Sequence, residues 1–226
     1  MSIIGYGYGS EWHMLRYLGY HRKALNNAVE ELIGGTVTEW IDVPFNSQKK
    51  FLDDEWKGLD FLPDDSPAKS EWKNIWPRTG NVQNWDAMGT LQKGSSKEFL
   101  LVEAKAHLGE IRSQCGAKEI GGKPLIVKAL DEAKLALGVS QEKDWLQPYY
   151  QYCNRLTTLY FLIKHGIGAR LIFIYFLKDK RQDAICPEKE GEWEIELKKM
   201  YDHIGPLKNA ELINRIHHLF LPVCGR

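Results

Sequence analysis

Apolar and polar residues alternate with period two along 84–91 and again along 98–105, and the polar run Lys93-Gly94-Ser95-Ser96 separates the two stretches. The pattern predicts two strands joined by a two-residue turn with glycine first, a turn whose twist matches that of paired strands. The turn sets the register. Lys93 faces Ser96, Thr90 faces Phe99 and Met88 faces Leu101; further out, Asp86 faces Glu103 and Asn84 faces Lys105. One face of the hairpin is therefore apolar near the turn and acidic, then basic, at its far end. Two carboxylates directly opposite each other repel. That register calls for a compensating cation, most simply a divalent ion. Lys105, two residues from Glu103 on the same face, adds positive charge of its own. A β-bulge near Asp86 would shift the pairing by one.

The remaining pattern is mostly helical. Residues 11–33 carry a stripe of Leu25, Ala28, Val29 and Leu32, with Gly19 as a break and Ser10 as N-cap. The β-branched and aromatic stretch 36–45 reads as a strand ended by Pro44. Residues 46–80 lose periodicity. They hold Lys49-Lys50, Asp53-Asp54, a short helix from Ser66-Pro67 to Ile75, and Trp72 and Trp76, which read as exposed on a substrate-side flap. A helix over 124–138 shows Ile126, Ala129, Leu130, Ala133 and Leu137 on one side. A second, over 148–166, carries Tyr149, Cys153, Leu156, Tyr160 and Ile163 on one face and Gln151, Asn154, Arg155 and Thr158 on another. The apolar run 169–177 reads as a buried strand. A charged loop and two amphipathic helices, 192–203 and 208–219, complete the reading.

Composition narrows the class. A chain of 226 residues with 43% hydrophobic content reads as a single domain over 1–226. Its 30 basic and 30 acidic residues balance, so no overall field announces a polyanionic partner, and any nucleic-acid contact must come from local patches. No apolar run is long enough for a membrane span, and Met1 to Ser10 shows no signal-peptide pattern. Cys115, Cys153, Cys186 and Cys224 lack paired spacing and read as reduced thiols of a cytoplasmic protein. His217-His218 with Cys224 falls short of a zinc set and reads as helix-end residues. The glycine pattern of residues 5–10 lacks the preceding strand and the Lys-Ser/Thr of a phosphate loop.

Without its insertion the order is αβββαβ. With Asp86 on the second strand and Glu103-Ala104-Lys105 ending the third, residues 11–177 resemble the restriction-endonuclease-like, PD-(D/E)XK, nuclease superfamily. Trp85 stands where the family name has proline. The resemblance implies an α/β fold: a mixed central sheet flanked by helices, with an insertion after the first strand and extra C-terminal helices. It also implies a Mg²⁺- or Mn²⁺-dependent nuclease acting on DNA. Asp86, Glu103 and the Ala104 carbonyl would hold the metal, and Lys105 would position or deprotonate the attacking water. An acidic residue from the first helix often joins such sites; Glu11 is the first choice, then Glu30 or Glu31. Gln151 fits the glutamine that some members carry on the helix after E-x-K. Arg155 and Asn154 would meet nucleic acid, and pairing as a homodimer is common in the family. Two other readings stay open. One is a non-catalytic nucleic-acid-binding or defence-associated module on the same fold. The other is a hydrolase using Asp86 and Glu103 as an acid–base pair on a substrate such as a glycoside.

Overall fold

The computed structural model describes residues 7–41, 56–77 and 82–224. The chain runs α1 (Ser10–Gly19), α2 (Arg22–Ile33), β1 (Thr36–Ile41), β2 (Trp56–Lys57), α3 (Pro67–Ile75), β3 (Asn84–Trp85), β4 (Ala87–Lys93), β5 (Ser96–Lys105), α4 (Lys123–Leu137), α5 (Tyr150–Lys164), β6 (Ala169–Leu177), α6 (Glu190–Ile204), α7 (Ala210–Ile213) and β7 (Ile216–Pro222). Pro44, Lys49-Lys50 and Asp53-Asp54 lie outside the described residues.

Strand β5 is the middle of a five-stranded sheet in the order β1-β4-β5-β6-β7. β1, β4 and β5 pair antiparallel, whereas β5, β6 and β7 run parallel. The hairpin has the expected register from Lys93↔Ser96 to Ala87↔Val102. Gly94 turns at φ 59, a left-handed conformation that glycine adopts without steric cost.

Side-chain alternation splits β5 between two helical layers. Leu100, Val102 and Ala104 face Met14 and Tyr17 of α1 and Leu25 and Val29 of α2. Leu101, with Phe173 and Tyr175 of β6, faces Trp72 of α3, Leu130 of α4, Leu156 of α5 and Trp193 of α6. The result is a mixed sheet covered by helices on both faces, as expected. Burying both faces explains why β6 reads as one continuous apolar run.

Five expectations need correcting. The final helix, expected over 208–219, is only the four-residue α7, and β7 follows it. Ile216, Leu219 and Phe220 fall at helical spacing, yet without β7 the outer edge of buried β6 would lose its backbone partners. His217 and His218 therefore stand on a strand, not at a helix end. Trp72 and Trp76 are buried and stacked at 5.2 Å, and Trp72 meets Phe161 edge-on, so α3 is packed structure. In α2, Ile33 is buried and Leu32 is exposed. Gly9, not Ser10, is the N-cap of α1.

Candidate functional site

The hairpin ladder stops at Ala87, so Asp86 and Glu103 are not an opposed cross-strand pair. The chain bends at Asp86, and β3 leaves the main sheet to pair with β2, Trp85 opposite Trp56. The Trp85 indole donates to the Gly58 carbonyl at 2.9 Å and anchors that departure. The Asp86 amide still reaches the Val102 carbonyl at 3.1 Å. Beyond that point β5 has an open edge, and two carboxylates take the place of a strand there. Asp86 Oδ2 accepts from the Ala104 amide at 2.7 Å, and Glu110 Oε2 accepts from the Ala106 amide at 2.5 Å. The N–H and C=O of one strand residue point the same way. The Ala104 carbonyl therefore shares this edge and lies between the two carboxylates.

Glu103 projects toward α5. Its Oε1 accepts from Lys105 Nζ at 2.5 Å. Its Oε2 accepts from Arg155 Nε at 2.8 Å and lies 2.7 Å from the second guanidinium nitrogen. Arg155 also donates to Asn154 Oδ1 and to the Asn84 carbonyl, and its guanidinium lies 4.8 Å over the Trp85 ring. Lys105 makes a second bond, to Gln151 Oε1 at 2.9 Å. A Lys and an Arg thus supply the countercharge that the sequence had reserved for a divalent ion. Burial opposes ionisation of Glu103, but the charges of Arg155 and Lys105 outweigh it and hold its carboxyl below the ordinary range. Burial likewise opposes the Lys105 ammonium, and Glu103 followed by Asp86 outweighs that, raising its pKa.

Asp86, Glu103, Gln151, Asn154 and Arg155 all line one cleft of about 580 Å³. Its lining also includes Trp76 and Pro77 just after α3, Ile126 of α4 and the loop between Ser113 and Gly122. Arg155 is 2% exposed with donors committed to protein acceptors, so its place is behind Glu103 and not on a phosphate. Asn154 is equally spoken for on its oxygen side. Glu11 lies in the first turn of α1, the helix on the opposite face of the sheet, and is not among the residues lining this cleft. Glu30 accepts from the Val37 amide at 2.8 Å and ties α2 to β1; Glu31 is exposed.

Trp85, Glu110 and Gln83 were missed in the sequence. Trp85 supports Arg155, and Glu110 caps the open edge of β5. Gln83 is buried in the cleft. No spacing pattern marks Glu110, because a 3-10 turn over Leu108–Ile111 folds it back onto Ala106.

Among the described residues, no group of three or more His, Cys, Asp or Glu could hold a metal ion. The oxygen donors here are Asp86, the Ala104 carbonyl and Glu103, whose two oxygens are bonded to Lys105 and Arg155, so that a metal would take Glu103 over from one of them. That all-oxygen set fits Mg²⁺, which keeps several of its waters and asks the protein for only one or two carboxylates. Among the described residues, no helix is long and apolar enough to cross a membrane, and the four cysteines are free. Comparisons of the chain with protein-family models, curated proteins and solved structures found no match.

Proposed function

We propose that this protein is a metal-dependent phosphodiesterase of the restriction-endonuclease-like kind, acting on nucleic acid and most directly on DNA. One observation carries the reading. Where β3 leaves the sheet, Asp86, Glu103 and Gln151 line a single cleft, Asp86 is bonded to the Ala104 amide, and Lys105 is bonded to both Glu103 and Gln151.

Each residue has a separable task. Asp86 and Glu103, with the Ala104 carbonyl, would hold Mg²⁺ or Mn²⁺. The bound ion would supply Lewis acidity, lowering the pKa of a water and polarising the phosphoryl oxygen. Lys105 has three N–H donors and spends two on Glu103 and Gln151, leaving one for the attacking water or a phosphate oxygen. Its charge would stabilise the negative charge that builds on the phosphorane. Gln151 fixes where that ammonium sits, and Arg155 fixes where Glu103 sits. The acid–base reading on a sugar loses its ground: Asp86 and Glu103 are not opposed, and Glu103 is held ionised between two cations.

The test is cleavage of mixed single- and double-stranded DNA with Mg²⁺ or Mn²⁺, wild type beside Asp86→Ala and Lys105→Ala. Metal-dependent cutting abolished in both variants is the expected result. Absence of cutting, together with no Mn²⁺ binding by titration calorimetry, would overturn the reading. Metal-independent DNA binding without cutting would favour the non-catalytic module.

A further inference from the structure

The cleft contains a hydrogen-bond acceptor that has nothing to accept from. Gln83, just before β3, is 4% exposed. Its Nε2 donates to Thr158 Oγ1 at 3.3 Å. The Thr158 hydroxyl gives its own hydrogen to the Asn154 carbonyl at 3.0 Å, so toward Gln83 it can only accept. That chain of donors fixes the amide, with Nε2 toward Thr158 and Oε1 away from it. Oε1 is buried and has no hydrogen-bond partner among the described residues, although Gln83 lines the cleft beside Asn84 and Asp86. An unpaired buried acceptor is costly. A donor entering the cleft would remove that cost.

The surroundings indicate what kind of donor fits. Gln83 stands three residues from Asp86, so at most about 11 Å of extended chain separates the orphan acceptor from the acidic end. Pro77, Val82 and Ile126 are apolar residues in the lining of the cleft. The volume of about 580 Å³ suits one small organic group. Carboxylates, apolar side chains and an unpaired acceptor lining one cleft match the phosphate, ring and hydrogen-bonding edge of one nucleotide.

We infer that the cleft is a base-binding subsite for one unpaired nucleotide, so that the substrate is single-stranded nucleic acid, or an unpaired end or bulge, and not the interior of a duplex. The inference rests on the phosphodiesterase reading only for where the scissile phosphate lies. Every base carries an N–H donor on its pairing edge. In a duplex that edge is occupied and stacked, and it reaches a buried side chain only when the base leaves the helix. A carboxamide oxygen accepts from any of the bases, so the subsite selects for unpaired state more than for sequence.

The experiment measures binding by fluorescence anisotropy, with the full chain in EDTA so that no metal-dependent cleavage intervenes. The probes are a labelled oligothymidylate, the same oligomer built from N3-methylthymidine, and a blunt-ended duplex of two complementary strands. The methylated base keeps its ring and loses its only pairing-edge donor. Oligothymidylate should bind about tenfold more tightly than either other probe, and Gln83→Leu should bind the two oligomers alike. Equal binding of methylated and unmethylated oligomers by the wild type, binding of the duplex as tight as that of the single strand, or no binding at all would overturn the subsite. Adding Mg²⁺ to the same mixtures separates the two readings. Selective binding without cleavage sinks the phosphodiesterase and keeps the subsite; cleavage indifferent to strandedness and N3-methylation does the reverse.

Discussion

Arg155 of α5 grips Glu103 of β5 through one carboxylate oxygen, at 2.8 Å from Nε and 2.7 Å from the second guanidinium nitrogen, and neither side chain is more than 3% exposed. The contact joins the helical layer to the strand end that carries the acidic site. Removing one partner of such a buried pair leaves the other charge stranded, at a cost of about 3–5 kcal/mol. Arg155→Met should lose stability toward the lower end of that range in urea unfolding, because Lys105 still pairs with Glu103. Glu103→Gln, which takes the shared carboxylate from both Arg155 and Lys105, should cost more. A loss below about 1 kcal/mol, the value of an exposed pair, would mean that solvent reaches the contact.

Gln151 acts on Lys105 alone, through the 2.9 Å bond to Nζ. Gln151→Leu frees the ammonium to move while Glu103 still attracts it. Under the proposed chemistry, displacement of a catalytic group by about 1 Å costs up to about a hundredfold in rate. We expect kcat to fall by about ten- to a hundredfold with KM nearly unchanged, and Gln151→Glu, which keeps the acceptor, to recover much of it. Steady-state cleavage kinetics on one DNA substrate would show this. A change confined to KM would place Gln151 in substrate binding instead.

The sequence made the hairpin legible because its turn chemistry and its alternation agree. Gly94 has one favoured use, and the register follows from it down to Ala87. Helices α4 and α5 were legible for a similar reason, since their apolar stripes carry the period of a helix. The site was legible as a set of residue types and less so as a geometry. Asp86, Glu103 and Gln151 do share a cleft, with Lys105 bonded to the last two, but the departure of β3 depends on Trp85 reaching the Gly58 carbonyl, a contact across 27 positions. No local pattern encodes that. Arg155 was taken for an outward-facing cation because its neighbours Gln151 and Asn154 are polar. Nearly every face of α5 is buried, so polarity on it marks internal hydrogen bonding and not solvent. β7 was hidden because Ile216, Leu219 and Phe220 satisfy a helical spacing by coincidence, and the need that makes them a strand lies in β6.

Gly122 sets how closely the cleft lining packs at Pro77. A Cβ there would stand 2.4 Å from Pro77 Cγ and 2.8 Å from Pro77 Cβ. The ring has no alternative rotamer with which to yield, so Gly122→Ala must push the start of α4 away from the end of α3. Overpacking of this kind costs about 1–3 kcal/mol. The expected outcome is a melting temperature lower by several degrees and weaker binding of any ligand that needs the cleft closed. Gly19→Ala, at the end of α1 and outside the cleft, where a Cβ meets nothing within 4 Å, should lower neither and serves as the control. An unaltered melting temperature in Gly122→Ala would show that the lining gives way freely.

His218 makes stability sensitive to acid. Its ring lies in an aromatic stack with Tyr152, Phe173 and Tyr175, and its Nε2 is bonded to the Tyr201 hydroxyl at 2.7 Å. Burial first, then the charge of His217, pushes its pKa down from 6.5 to about 4. The folded value is below the unfolded one, so between them the unfolded chain binds a proton that the folded chain refuses. Stability from this group is complete above the unfolded value and is lost as pH falls from 6.5 toward about 4. The full shift corresponds to a loss on the order of 3 kcal/mol. Urea midpoints measured from about pH 7 to about pH 4.5 should fall accordingly. His218→Phe keeps a ring in the stack and cannot take the proton. It should start lower at neutral pH by about 1 kcal/mol, for the lost hydrogen bond, and then decline less steeply. His217, also held down to about 4 by burial and Arg170, contributes in the same direction, so His217→Gln flattens the profile separately. Parallel profiles for wild type and His218→Phe would assign the acid sensitivity to other groups.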